Sequence, residues 1–265
     1  MNLLFAINKS FIPLFKSCIR SVVRNGGEEH YDAYFLHSDL SPSEQNDIAG
    51  AAGEVVTCRF IGIDPEMFDG FPESKRYPKQ IYYRLAAPLL LPDDLDRVLY
   101  LDVDTVVLKP LRELYDIDFL GGWYAACTHI RGTLQELNRH RLDAPKGSVY
   151  INTGVMVLDL VQLRKVLRLE DIRDYAARKM HTFILPDQDI LMGLHGDRVR
   201  LVDTFRYNLS DRMIALHNGD PRNEKIDAEW VWKNAVILHF CGRNKPWSEG
   251  YHGILGEFYE PYREM

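Results

Sequence analysis

The sequence predicts an α/β fold in which a mixed, mainly parallel central sheet is flanked by helices. Three observations lead there. Apolar runs of strand length alternate with longer segments of helical periodicity, the pattern of a mainly parallel sheet covered on both faces. Two of those runs end in polar residues with metal-binding chemistry, and in open α/β sheets ligands sit beyond the carboxyl ends of the strands. The chain has 265 residues, 46% hydrophobic and 26% charged, enough to bury such a sheet without covalent staples. No repeat, low-complexity segment or linker interrupts it, so a single domain over residues 1–265 is expected.

The elements follow in order. Residues 3–7 read as a buried first strand, and a helix follows over 12–24. Residues 33–36 form a second strand. Ser41 is an N-cap, Pro42 suits the first helical position and Glu44 completes a capping box, so a helix starts there. Residues 55–61 are a third strand, and 64–78, rich in Pro, Gly and charge, are a loop. A helix is expected over Gln80–Leu90 despite Pro88. Residues 98–101 are a buried strand that ends at two carboxylates. Later strands are expected over 123–127 and 149–158, a helix over 160–179, and a short helix over 187–194 after Pro186. A last strand over 235–240 leads into a polar loop at 241–247, and 251–259 form a closing helix.

Composition narrows the function classes. Lys plus Arg is 32 against 38 Asp plus Glu, a formal net charge of −6. That balance gives no general attraction to nucleic acid or to anionic lipid. The cysteines Cys18, Cys58, Cys127 and Cys241 lack CxxC spacing and read as free thiols of a reducing compartment. The N-terminal apolar run has no basic region before it and is too short for a signal peptide. No window approaches the ~18 uninterrupted apolar residues of a membrane span. A cytoplasmic protein is expected.

Asp102 and Asp104 carry the first chemical signal. Residues two apart on an extended chain point to the same side, with Cα atoms about 6–7 Å apart, so both carboxylates can lean toward one cation. Without it, two like charges this close would raise one pKa sharply. Apolar residues on both sides place the pair in a buried region, where unpartnered carboxylates are costly. Two enzyme classes put Asp-x-Asp after an apolar strand. In haloacid-dehalogenase-like phosphatases, which Asp102-Val103-Asp104-Thr105-Val106 resembles, the first Asp is a nucleophile. In nucleotide-sugar glycosyltransferases the pair holds Mn²⁺ or Mg²⁺ against a diphosphate. The 101 residues before Asp102, already three strands with helices, favour the second class.

His239 ends an apolar run as Asp102 does, so a parallel sheet can bring them to one edge. Two carboxylates and an imidazole suit Mn²⁺, because the nitrogen moves preference from Mg²⁺ toward a first-row metal. Gly242 would let the backbone approach a phosphate closely, and Lys245 would set a point charge beside it.

The run His239-Phe240-Cys241-Gly242-Arg243-Asn244-Lys245-Pro246-Trp247 resembles the His-x-x-Gly-x-x-Lys-Pro-Trp signature of glycosyltransferase family 8. The resemblance extends nearly end to end. It covers Phe5-Ala6, Tyr83-Arg84-Leu85, Leu99-Tyr100-Leu101-Asp102-Val103-Asp104, and Gly121-Gly122 with Ala126-Cys127. It continues through Tyr150-Ile151-Asn152-Thr153-Gly154-Val155, Asp187-Gln188-Asp189-Ile190-Leu191 and Arg206-Tyr207-Asn208. It implies the GT-A nucleotide-diphospho-sugar transferase fold, and a retaining hexosyltransferase that uses a UDP-hexose donor and a carbohydrate or glycolipid acceptor.

The resemblance also implies roles. Asp102, Asp104 and His239 would bind the metal. Ala6, Asn8, Val103, Gly242 and Lys245 would hold the nucleotide together with the two aspartates. Arg84, Asn152, Asp187 and Gln188 would face the transferred sugar, with Gln188 near its anomeric carbon. Relatives commonly have an acidic residue at Asn8 and an Asn at Ser10, positions that meet the base. Some have Asp at His129, near the sugar or acceptor. Two rival readings stay open: the phosphatase, and a nucleotide-sugar binding protein without activity.

Overall fold

A computed structural model describes residues 1–74 and 77–263. The strands are β1 Asn2–Ala6, β2 Tyr31–His37, β3 Val56–Gly62, β4 Arg97–Leu101, β5 Thr105–Val107, β6 Tyr124–Cys127, β7 Asn152–Asp159, β8 Val199–Leu201 and β9 Ile237–His239. The helices are α1 Ile12–Asn25, α2 Pro42–Ala52, α3 Gln80–Leu90, α4 Arg112–Tyr115, α5 Gly132–Arg141 and α6 Leu160–Val166. They continue with α7 Leu169–Lys179, α8 Pro186–His195, α9 Thr204–Tyr207, α10 Asp211–Asn218, α11 Ala228–Asn234 and α12 Gly256–Tyr259.

Among the described residues the main sheet has the order β3-β2-β1-β4-β7-β6-β8. β7 runs antiparallel to both β4 and β6, and the other pairings are parallel. This is the expected mixed, mainly parallel sheet. The interiors of its central strands, residues 3–6, 98–101 and 155–158, are continuous apolar runs because both faces are covered. Successive side chains alternate between faces. Leu3, Phe5, Leu99, Leu101, Val155 and Val157 pack on the side of α1, with Phe15, Ile19 and Val22. Leu4, Val98, Tyr100, Met156 and Leu158 pack on the other, with Tyr82, Tyr83 and Ala86 of α3 and Leu163 of α6.

Local signals in the sequence act as expected at several boundaries. Ser41 and Glu44 form the capping box of α2. Pro88 lies inside α3, where it cannot donate to the carbonyl of Arg84. Arg164 of α6 gathers the carbonyls that follow, donating to those of Pro88, Leu91, Pro92, Asp93 and Leu95.

Several expectations need correction. The strand expected over 235–240 is only Ile237–His239, and it lies outside the main sheet, antiparallel to β5 in a two-stranded sheet of its own. The strand expected from residue 149 begins at Asn152, opposite a register shift between Ala126 and Cys127. The helix expected over 160–179 is two helices, α6 capped by Asp159 and α7 beginning at Leu169. The closing helix shrinks to Gly256–Tyr259 and a 3-10 turn, Glu260–Tyr262. The loop expected over 64–78 contains residues 75 and 76, which lie outside the described residues; before them Pro65–Phe68 forms a 3-10 turn. The four cysteines are free, Cys18 and Cys127 buried. Among the described residues no helix is long and apolar enough to cross a membrane.

The start of α8, which bears Asp187 and Gln188, is clamped from below by Asp189. That carboxylate is fully buried. Arg141 of α5 donates to both its oxygens, at 2.7 and 3.0 Å. Tyr150 donates its hydroxyl at 2.7 Å, and the backbone N–H groups of Ile184 and Leu185 complete the set. Removing one partner of a buried pair leaves an uncompensated charge. Arg141→Met is therefore expected to lower stability by about 3 kcal/mol, read as a shift of the urea midpoint at unchanged slope. A loss under about 1 kcal/mol, the scale of a surface pair, would show that the clamp does not hold α8.

Candidate functional site

The site grows from the end of β4. The last ladder bond there runs from the N–H of Asp102 to the carbonyl of Gly154, 2.7 Å. Residues 103 and 104 then form a turn, closed by the Thr105 hydroxyl donating to the Asp102 carbonyl at 2.8 Å. The two carboxylates therefore converge through a turn, and not through an extended Asp-x-Asp with both side chains on one side. Val103 between them is buried in the α1-side core.

The route to His239 also differs from expectation. A parallel sheet does not bring it to Asp102. In the antiparallel pair of β5 and β9, Thr105 faces His239, and the N–H of Phe240 donates to the carbonyl of Asp104 at 2.9 Å. The predicted meeting occurs all the same. The ligand atoms of Asp102, Asp104 and His239 all lie within 4.8 Å of one another. His239 Nε2 is 3.2 Å from Asp104 Oδ1 and 3.7 Å from Asp102 Oδ2.

Each carboxylate has its other oxygen held. Asp102 Oδ1 accepts from the Tyr100 hydroxyl at 2.7 Å and faces Arg84 Nη2 at 2.9 Å. Asp104 Oδ2 accepts from Lys245 Nζ at 2.6 Å, and the same ammonium donates to the Phe240 carbonyl at 2.5 Å. Burial would raise the pKa of Asp104, but the adjoining His239 and Lys245 outweigh it and hold the carboxyl well below the usual carboxylate range.

Arg84 ties this centre to α8. It is buried and stacks over the Tyr100 ring, 4.5 Å from its centroid. Its Nη1 donates to the Thr153 carbonyl at 3.0 Å and lies 3.5 Å from Asp187. The Thr153 hydroxyl donates to Asp187 at 2.6 Å. Burial of the guanidinium works against its charge, and Asp102, Tyr100 and Asp187 overcome this and raise its pKa. Burial raises the pKa of Asp187, with Arg84 opposing. Gln188 is half-buried on the first turn of α8.

Behind His239 lie two amides. His239 Nδ1 is 2.9 Å from Asn208 Oδ1. Asn208 Nδ2 donates to Asn152 Oδ1 at 3.0 Å, and the N–H of Gly154 donates to that same oxygen at 3.1 Å. Gly154 is a packing requirement. A Cβ there would lie 2.2 Å from His239 Cε1 and 2.7 Å from Asp102 Oδ2. Asn208, Gly154, Tyr100 and Thr153 lie in the runs that carry the family resemblance, but the sequence assigned them no role. The available signal was a polar or glycine residue inside an apolar stretch, as in Tyr207-Asn208-Leu209.

Other expected residues are placed as follows. Ala6 ends β1 and is half-buried. Asn8 caps the 3-10 turn after it, its Oδ1 accepting from both the N–H and the hydroxyl of Ser10 at 3.0 and 2.6 Å. Gly242 is exposed with φ +97°, a left-handed conformation that favours glycine. His129 Nε2 sits 2.9 Å from the Asn208 carbonyl, so that nitrogen carries the proton. Burial, then the neighbouring His239, pushes the pKa of His129 down to about 4.

Comparison with known proteins bears on this arrangement. Glycosyltransferase GlyF of Streptococcus pneumoniae is 27% identical over 265 residues, which cover 99% of this chain and 61% of GlyF, so the chain spans less than two thirds of that relative. The lipopolysaccharide 1,2-glucosyltransferase of Escherichia coli is 24% identical over 94% of this chain and 73% of its own length. The lipopolysaccharide 1,3-galactosyltransferase of Salmonella typhimurium is 25% identical over 93% and 72%. The galactosyltransferase LgtC, solved in complex with donor and acceptor sugar analogs, superposes with a TM-score of 0.82 at 24% identity, covering 99% of this chain and 95% of LgtC. At that identity the likeness speaks for the fold, which is GT-A. Residues 2–250 match glycosyl transferase family 8. That span contains every residue of the Asp102, Asp104 and His239 cluster, and the chain belongs to glycosyl transferase family 8.

Proposed function

We propose that residues 1–265 form one transferase domain that moves a hexose, glucose or galactose, from a UDP-sugar to a carbohydrate or glycolipid acceptor, with retention of configuration and with Mn²⁺ or Mg²⁺. One observation carries the reading: Asp102 Oδ2, Asp104 Oδ1 and His239 Nε2 converge while the remaining oxygen of each carboxylate is held elsewhere. Two oxygens and one imidazole nitrogen fit a divalent first-row ion. A metal bound there would offset the negative charge that builds on the diphosphate as the glycosidic bond breaks. The glucosyl and galactosyl transfers named for the relatives support a hexose donor.

The chain's own residues supply the rest. Lys245 stands beside Asp104 as a second positive charge for the leaving diphosphate, and exposed Gly242 lets backbone approach it. Arg84 sets one positive charge between Asp102 and Asp187. With Oδ1 of Asn8 committed to Ser10, its NH₂ is the end left to meet a base carbonyl. Asp187 is tied to Arg84 and Thr153, a poor situation for a nucleophile. Attack by the acceptor on the face the phosphate leaves, with Gln188 alongside the sugar, fits better. The phosphatase reading asks Asp102 for a free nucleophilic oxygen, and Tyr100 and Arg84 engage it instead. One domain is supported by β5 and β9, which link two cores: Val107 and Ile237 enter the α1-side core, Val106 and Leu238 the C-terminal one.

Mn²⁺-dependent release of UDP from UDP-glucose or UDP-galactose is expected for the wild type. Asp102→Asn and His239→Ala should each slow it by on the order of a hundredfold. Equal rates in all three would remove the centre from catalysis. UDP binding without turnover would favour the binding protein, and hydrolysis of a simple phosphomonoester without UDP binding the phosphatase. Gly154→Ala is expected to cost about 1–3 kcal/mol in chemical denaturation and to weaken Mn²⁺ binding. Wild-type stability and affinity in that variant would show that residue 154 does not pack the centre.

A further inference from the structure

We infer that Asn208, backed by Asn152, is the positioning residue that decides which ring nitrogen of His239 faces the cation. This rests on the proposed Asp102, Asp104 and His239 centre and adds how its one nitrogen ligand is set. An amide and an imidazole can each be turned end for end, and their orientation has to be fixed by partners. Here the fixing begins at a group that cannot be reversed. The backbone N–H of Gly154 only donates, so the Asn152 atom 3.1 Å away is its oxygen. That oxygen also lies 3.0 Å from the Asn208 side chain, which therefore presents its NH₂. The opposite end of Asn208 is then its oxygen, 2.9 Å from His239 Nδ1. An amide oxygen only accepts, so Nδ1 carries a proton. Nε2 is left to face Asp102 and Asp104. Turning any one member round would set two donors or two acceptors against each other in a buried site.

Asn208 is also held as a rigid support should be. It is fully buried, at 0% exposure. Its own N–H donates to the Thr204 carbonyl at 3.1 Å, and the next residue is stitched along β9: the N–H of Leu209 donates to the Ile237 carbonyl at 3.1 Å, and the N–H of His239 donates to the Leu209 carbonyl at 2.8 Å. His129 Nε2 donates to the Asn208 carbonyl, closing the other side. A metal-bound imidazole whose second nitrogen is hydrogen-bonded has its orientation and its ligating nitrogen set by that bond, and loss of such a partner costs about 10–100-fold in metal affinity.

The test uses the full chain. Mn²⁺ binding is titrated for wild type, His239→Ala, Asn208→Leu and Asn208→Asp, with circular dichroism to confirm folding. Asn208→Leu should weaken Mn²⁺ by about 10–100-fold. Asn208→Asp, which still accepts from Nδ1–H but cannot donate to Asn152, should recover most of that loss, which a role in packing alone would not explain. In ¹⁵N-histidine spectra of the protein loaded with diamagnetic Mg²⁺, the ring proton of His239 should sit on Nδ1. A wild-type spectrum with that proton on Nε2 overturns the inference, and does so even where Asn208→Leu fails to fold. Folded Asn208→Leu with wild-type Mn²⁺ affinity overturns it as well. If His239→Ala binds Mn²⁺ as tightly as wild type, the centre itself has failed as its premise, a distinct outcome.

Discussion

Two carboxylates separated by one residue in a half-buried turn repel each other unless cations face them. Much of the architecture around β4 answers this constraint. Arg84, on α3, reaches across the sheet edge to Asp102 and on to Asp187 of α8. Lys245, on the loop after β9, reaches Asp104. Lys245 takes one oxygen of Asp104, and Arg84 faces Oδ1 of Asp102 at 2.9 Å with a longer 3.4 Å contact to Oδ2, while Asp102 Oδ2 and Asp104 Oδ1 are the oxygens nearest His239. The site is thus electrostatically balanced on its outer sides and acidic at its centre, a suitable setting for a divalent ion to complete.

Packing and polarity cooperate in holding that geometry. Gly154 sits where a methyl group would strike both His239 and Asp102, so β7 can pass directly beneath the centre. Its backbone N–H and carbonyl are both used, the first to fix the Asn152 amide and the second to end the β4 ladder at Asp102. One residue without a side chain therefore registers two ligands, Asp102 after β4 and His239 at the end of β9. Asp189, bound by Arg141, Tyr150 and two backbone N–H groups, does the equivalent for the start of α8.

Much of this was legible in the residues. The alternation of apolar runs with amphipathic segments showed the sheet and its covering helices, and the Ser41 to Glu44 capping box marked α2 to the residue. The carboxylate pair and His239 stood out because polar groups at the ends of apolar runs need a partner. What stayed hidden has physical causes. β9 and β8 are three residues each, too short for periodicity to reveal pairing or direction, so His239 was assigned to the main sheet. The helix α5 has no buried residue, and a helix without an apolar stripe leaves no periodic trace. The helices α9, α10 and α11 are brief, though Asp203, Ser210 and Asp227 cap them and could have flagged their starts. Asn208 stands out locally as a polar residue between Tyr207 and Leu209, but its role depends on contacts between residues 56 and 31 positions apart, which the local pattern does not assign.

Three side chains, two from the segment that turns after β4 and one from the end of β9, share one divalent ion in the proposed centre. Anomalous diffraction at the manganese edge, from crystals grown with Mn²⁺ and UDP, tests it most directly. The account predicts a single strong peak bonded to a carboxylate oxygen of Asp102, a carboxylate oxygen of Asp104 and Nε2 of His239. A peak away from His239, or one reached through its Nδ1, would contradict it.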